Sequence, residues 1–201
     1  MRVELPEKLL HAKLTPEESL DDDEFFQFCL ANPDVRIERS AQGEIIFVPP
    51  AGWESDDRNL EVAAHLRIWA KRDKRGRAFG PTAEYLLPTG AAFGPDAAWV
   101  SNERIATVPK PQRKKFPSVC PEFVIEVMSP SDRLRKAQEK MQEWMRGGAE
   151  LAWLIHGDKQ TVYVYRAGQA EPEVLIGVSK VSGEGPVAGF ELDLTEIWAG
   201  L

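Results

Sequence analysis

Residues 120–148, CPEFVIEVMSPSDRLRKAQEKMQEWMRGG, constrain the fold more than any other stretch. An apolar run of strand length leads through a turn into an amphipathic helix, and a second apolar run follows at 151–155. A helix that bridges two strands packs back onto the sheet they form, so this region requires a sheet with at least one helix laid across it. Phe123, Val124, Ile125, Val127 and Met128 are apolar and partly β-branched, and Ser129-Pro130-Ser131-Asp132 closes the strand. Glu126 interrupts the run. A buried carboxylate there costs several kcal/mol unless it is paired, bound to a metal or in reach of water.

The helix that follows carries Leu134, Ala137, Met141, Trp144 and Met145 as its apolar stripe, with Lys136, Lys140 and Glu143 along the border. Gly147-Gly148 supplies the stop. Lys140 has two readings: it leans toward the preceding strand, or it snorkels past Trp144 to solvent.

On the N-terminal side, Thr15-Pro16-Glu17-Glu18 has the form of a capping box with proline at the first helical position, so a helix is expected to run to about Ala31 and end at Asn32-Pro33. Its apolar face holds Phe25, Phe26, Phe28 and Cys29. Residues 35–39 and 44–48 flank Ser40-Ala41-Gln42-Gly43 and read as a hairpin. From about residue 55 to 73, Leu60, Ala63, Ala64 and Ile68, with Leu66 and Trp69 one step on, fit a helical stripe. Further strands are expected at 77–79, 84–87 and 96–100, then a long basic loop over 103–118. A second hairpin follows at 151–155 and 161–165, then a strand at 173–178, another segment at 189–192 and a terminal helical turn at 194–198.

The fold class is therefore α/β in the α+β sense: a mixed β-sheet flanked by helices, with an N-terminal helix and hairpin. At 201 residues one domain is expected, with 1–34 as a helical extension and 35–201 as the domain proper. No apolar run reaches membrane-span length and the first residues do not resemble a signal peptide, which points to a cytoplasmic protein with no membrane contact. The two cysteines, Cys29 and Cys120, lack metal-site spacing and read as small buried hydrophobes. A net charge of −7 does not favour nucleic acid, yet 71–77, 110–115 and 133–136 are locally basic. The plainest role of the first of these is a helix C-terminus, where cations complement the dipole.

Asp96 stands after Pro95 at the mouth of the apolar run Ala97-Ala98-Trp99-Val100. It is either a turn or strand-entry cap, or half of a site with Glu126. Two carboxylates on two strands suit a hard divalent cation such as magnesium, which takes one or two carboxylates and keeps several waters. The backbone carbonyl of Val127 offers a third ligand. Such an ion polarises a phosphoryl oxygen and acidifies a bound water, the chemistry of phosphodiester cleavage. In the 55–73 helix, Glu61 and His65 sit four apart, a spacing shared by ordinary surface pairs, and no HExxH accompanies them.

Pro95-Asp96, then PEFVIEVMSPSD at 121–132, Lys140, and GGAELAWLI at 147–155 resemble the Uma-two family of restriction endonuclease-like proteins, a branch of the PD-(D/E)XK superfamily. The resemblance spans about residues 35–198. It implies a restriction endonuclease-like core, Asp96 and Glu126 as ligands of Mg or Mn, DNA as substrate, and Glu61 as a further acidic contributor. The superfamily pattern places lysine two residues after the glutamate, where this chain has Met128. The resemblance therefore assigns that charge to the helix, with Lys140 as the match and Lys136 as the fallback. The resulting expectation is a metal-dependent endonuclease; the alternative is a non-catalytic nucleic-acid- or protein-binding domain that retains the fold. A serine hydrolase lacks its G-x-S-x-G elbow. Cutting both strands of a duplex calls for two sites, so a homodimer is expected, through Phe25, Phe26 and Phe28 or through the C-terminal tail.

Overall fold

A computed structural model of the chain describes residues 13–16 and 19–201. Strand β1 (Lys13–Leu14) precedes helix α1 (Asp22–Ala31). The helix starts later than the sequence suggests. Asp21 accepts from the Glu24 N–H at 2.8 Å and Glu24 accepts from the Asp21 N–H at 2.9 Å, so a capping box at Asp21 starts the helix; Glu17 and Glu18 of the expected box at Thr15 lie outside the described residues. Strands β2 (Arg36–Arg39) and β3 (Ile45–Val48) form the expected hairpin, with Gly43 at φ +81°. Helix α2 (Trp53–Asp73) ends in Lys71 and Arg72, the dipole-complementing cations, and closes on Lys74 in the left-handed region. Strands β4 (Gly76–Phe79), β5 (Tyr85–Leu86), β6 (Ala92–Phe93) and β7 (Ala97–Ser101) follow.

The 103–118 segment is not all loop. Ser101 accepts from the Arg104 N–H at 2.9 Å and starts helix α3 (Asn102–Thr107), and a single 3-10 turn spans Gln112–Lys114. Then come β8 (Phe123–Val127), α4 (Leu134–Gly147) closed by Gly148 at φ +109°, β9 (Leu151–His156) and β10 (Thr161–Arg166). Strands β11 (Glu173–Ile176), β12 (Lys180–Ser182) and β13 (Glu191–Asp193) and helix α5 (Thr195–Ala199) complete the chain.

Six strands form the main sheet in the order β11-β10-β9-β8-β7-β4, where β8 and β9 are parallel across α4 and the other pairs antiparallel. Strand alternation divides its side chains. Trp99, Phe123, Ile125 and Trp153 join one core cluster with α2 and the C-terminal segments, while Val124, Met128, Ala152 and Leu154 join another with α4. A second sheet, β1-β3-β2-β6-β5, is split the same way. Its Tyr85 and Phe93 rings meet Trp144 of α4 at 6.2 and 5.7 Å, and its Ile37, Ile45 and Phe47 cluster with Phe25 and Phe28 of α1. Helix α4 therefore lies between two sheets.

This packing bears on two sequence expectations. Phe25 and Phe28 are buried and Phe26 packs edge-on against Phe116 at 5.0 Å, so these rings serve the fold, whereas the C-terminal tail buries Val181, Phe190, Leu192 and Ile197 but leaves Val174 48% and Ile176 72% exposed on β11. On α2 the core face is Val62, Leu66 and Ala70, with Ala63 and Trp69 beside it. Leu60 is 66% exposed and Ile68 51%. Helical periodicity found the right element and, in Leu66, Ala63 and Trp69, part of its inner face, but it counted exposed Leu60 and Ile68 with them. The two stripes are separable by mutation: Leu66→Ala is expected to cost about 2–5 kcal/mol of unfolding free energy. Leu60→Ala, measured in protein dilute enough to be monomeric, is expected to stay within about 0.5 kcal/mol. Equal losses in chemical denaturation would refute this assignment of the core face.

Candidate active site

Asp96 immediately precedes β7, and one step beyond the Ala97↔Ile125 register it stands across from Glu126. Alternation along β8 turns Glu126 to the face covered by α4, away from Ile125 and Val127. Lys140 and Trp144 are four apart on α4 and so share one face. The Trp144 indole N–H donates to Glu126 Oε1 at 2.8 Å, and Lys140 Nζ is 3.0 Å from the same oxygen. Asp96 accepts from the Val127 N–H at Oδ2, 2.8 Å, and from the Asn59 amide of α2 at Oδ1, 3.2 Å. Asp96 is buried and Glu126 nearly so. The structure thus brings Asp96, Glu126 and Lys140 together.

The other sequence candidates lie elsewhere. Glu61 pairs with His65 at 2.9 Å on the solvent-facing flank of α2, and Asn59 is the residue of that helix that bonds to Asp96. Lys136 is exposed and paired with Glu139 at 2.7 Å.

Several site residues were not legible in the sequence. Buried Glu38, on β2 of the second sheet, accepts from Lys140 Nζ at 2.9 Å and from the Gly94 N–H at 3.3 Å. Arg36 donates to the Gly94 carbonyl and lies 3.5 Å from Glu38. Glu84 is buried nearby, and its Oε1 has no partner among the described residues. The sequence Arg36-Ile37-Glu38-Arg39 alternates like any half-exposed strand, so nothing local marks its polar side as facing another sheet.

A mixed sheet crossed by α4, with two carboxylates on neighbouring strands and a lysine from the crossover helix beside them, is the architecture of a restriction endonuclease-like protein. The chain belongs to the Uma2 family, described as "Putative restriction endonuclease", whose sequence profile matches residues 22–195. The fold is also that of a solved protein described as "a putative nuclease belonging to DUF820 from Anabaena variabilis ATCC 29413". That structure superposes with a TM-score of 0.73 at 22% identity, over 90% of this chain and 98% of the other. No curated protein matches the sequence.

Four carboxylates, Glu38, Glu84, Asp96 and Glu126, influence one another's charge here against two cations, Arg36 and Lys140. Burial pushes Glu126 up to about 7, helped by Asp96 and Glu38 and opposed by Lys140 and the Trp144 bond. Burial also raises Asp96, against the pull of the Val127 N–H, and holds Glu84 well above the usual carboxylate range, with Glu38 adding to it. Burial acts to lower Lys140, but Glu126 and Glu38 outweigh it and the ammonium is held above its ordinary value. The site is short of positive charge.

Among the described residues no three His, Cys, Asp or Glu side chains cluster as a metal cage. The donor set nonetheless suits an ion of the magnesium type, which needs few carboxylates and keeps waters. Its donors are hard oxygens, and beside Asp96 the Asn59 Oδ1 is buried without a hydrogen-bond partner among the described residues.

A pH dependence of folding follows. Between its ordinary value of 4.5 and about 7, Glu126 holds its proton in the folded state but not in the unfolded chain. This contribution is fully present below that window and is lost as pH rises through it. For the metal-free protein, stability is expected to fall by up to about 3 kcal/mol across the window, and Glu126→Gln to flatten the slope. Melting curves taken from roughly pH 4.5 to 8 test this; a stability that rises with pH in both proteins would overturn it.

Proposed function

We propose that this chain is a metal-dependent endonuclease that hydrolyses phosphodiester bonds of DNA. The observation that carries the reading is the position of Lys140, whose ammonium is 3.0 Å from Glu126 Oε1 although it comes from the helix and not from the strand. Met128, where the superfamily pattern has lysine, is buried in the α4 cluster. The positive charge needed beside the carboxylates is therefore supplied from across the sheet.

In this reading Asp96, Glu126 and the Val127 carbonyl hold a magnesium or manganese ion. When bound, the ion would polarise the scissile phosphate and acidify a water. The protein's own groups prepare the site for that. The Val127 N–H and Asn59 fix the Asp96 carboxylate, and the Trp144 indole fixes Glu126. Glu38 anchors Lys140, so that its ammonium faces the charge that develops on the phosphate. Glu61 and Lys136 have no part in this arrangement.

The test is cleavage of single- and double-stranded DNA with magnesium or manganese, followed on gels. Glu126→Ala and Asp96→Ala are expected to abolish cutting, and Lys140→Met to slow it by roughly 10²-fold or more. Wild-type protein that binds these substrates yet cuts none of them faster than Glu126→Ala would instead identify a binding domain built on the nuclease fold.

A further inference from the structure

Helix α2 presents two apolar stripes, and the fold uses only one. Val62, Leu66 and Ala70 are buried in the core, while Trp53 is 89%, Leu60 66% and Ile68 51% exposed. At 100° per residue Trp53, Leu60, Ala64 and Lys71 point within about 20° of one direction, with Ile68 at its edge. An exposed tryptophan with apolar residues following it as far as Ile68, roughly 22 Å along one helix with exposed Asp57 beside them, is a surface that calls for a partner.

The charges along the seam indicate which partner. Its N-terminal half carries exposed Asp56 and Asp57, and its C-terminal half exposed Arg67, Lys71 and Arg72. None of these five is in an ion pair within the chain among the described residues. A helix acidic at one end and basic at the other is complementary to itself when antiparallel. A two-fold axis level with residue 62 would set Leu60 against Ala64 of the second copy, Trp53 against its Lys71, and Asp56 against its Arg67, which lies on the same side of the seam. The contacts are apolar at the centre, with a cation over an indole and an ion pair toward each end. A nucleic acid fits less well, because the carboxylates would repel phosphate along half the seam.

We propose that the solvent-facing stripe of α2 is a self-association surface, through which two copies of this chain pack antiparallel as a homodimer. The proposal does not depend on the nuclease reading.

Light scattering and sedimentation of the full chain over a wide concentration range test it. The wild type is expected to dimerise. Leu60→Glu is expected to weaken the dimer at least tenfold, as are Asp56→Arg and Arg67→Glu taken singly. Because each ion pair joins Asp56 of one copy to Arg67 of the other, the double variant Asp56→Arg/Arg67→Glu is expected to recover association. All these positions are exposed, so an unchanged circular dichroism spectrum and, at concentrations where the wild type is itself monomeric, an unchanged melting temperature are expected, and they separate loss of contact from loss of fold. A wild type that stays monomeric up to millimolar concentration, a dimer indifferent to Leu60→Glu, or a double variant no better than its parents would overturn the proposal. So would a monomer whose affinity for labelled DNA falls on Trp53→Ala, which would give the stripe to nucleic acid instead.

Discussion

The structure is arranged around a carboxylate placed where strand β8 would otherwise be wholly apolar. Glu126 lies between Ile125 and Val127 in the centre of the main sheet, and water cannot solvate it freely there. The indole N–H and the ammonium that meet it come from one face of α4. That helix is in turn held by the parallel pairing of β8 with β9, because the chain must cross the sheet between them. The element that builds the parallel β8–β9 pair therefore also delivers the charge that makes its buried acid tolerable.

The second sheet completes this arrangement. Tyr85 and Phe93 close over Trp144, and Glu38 takes the other side of the Lys140 ammonium. Lys140 is thus fixed between carboxylates from two separate sheets, and both favour its charged form. Such a group is hard to neutralise and hard to move. It stays charged at any pH near neutrality. The cost appears in the carboxylates. Burial raises Glu126, Asp96 and Glu84 together, so the site is stable only in part as an assembly of protein groups and is improved by further positive charge. The cost is localised at these three acidic side chains.

Helix α2 shows how one element serves several ends. Its inner stripe packs against Trp99 and Phe123, its N-terminal turns bring Asn59 to Asp96, and its outer stripe remains apolar in solvent. A helix needs only one such stripe to fold. The second one, with its acidic and basic halves, reports on what lies outside the chain.

The sequence by itself determined the strand–helix–strand unit around Glu126, both hairpins, the stop at Gly148 and the candidates Asp96, Glu126 and Lys140. These depend on period, turn chemistry and local order, which are written within a few residues of each other. It misplaced the start of α1, because a second capping box, Asp21 to Glu24, lies six residues beyond Thr15 and is the one that caps the helix. It mixed the two faces of α2, taking buried Leu66 together with exposed Leu60 and Ile68, because a helix with two apolar stripes has no local sign of which one the core will cover. Glu38, Arg36, Glu84 and Asn59 belong to the site only because a second sheet and the end of α2 close over α4. Their chemistry is ordinary until burial and proximity, decided by residues far away in the chain, remove their water.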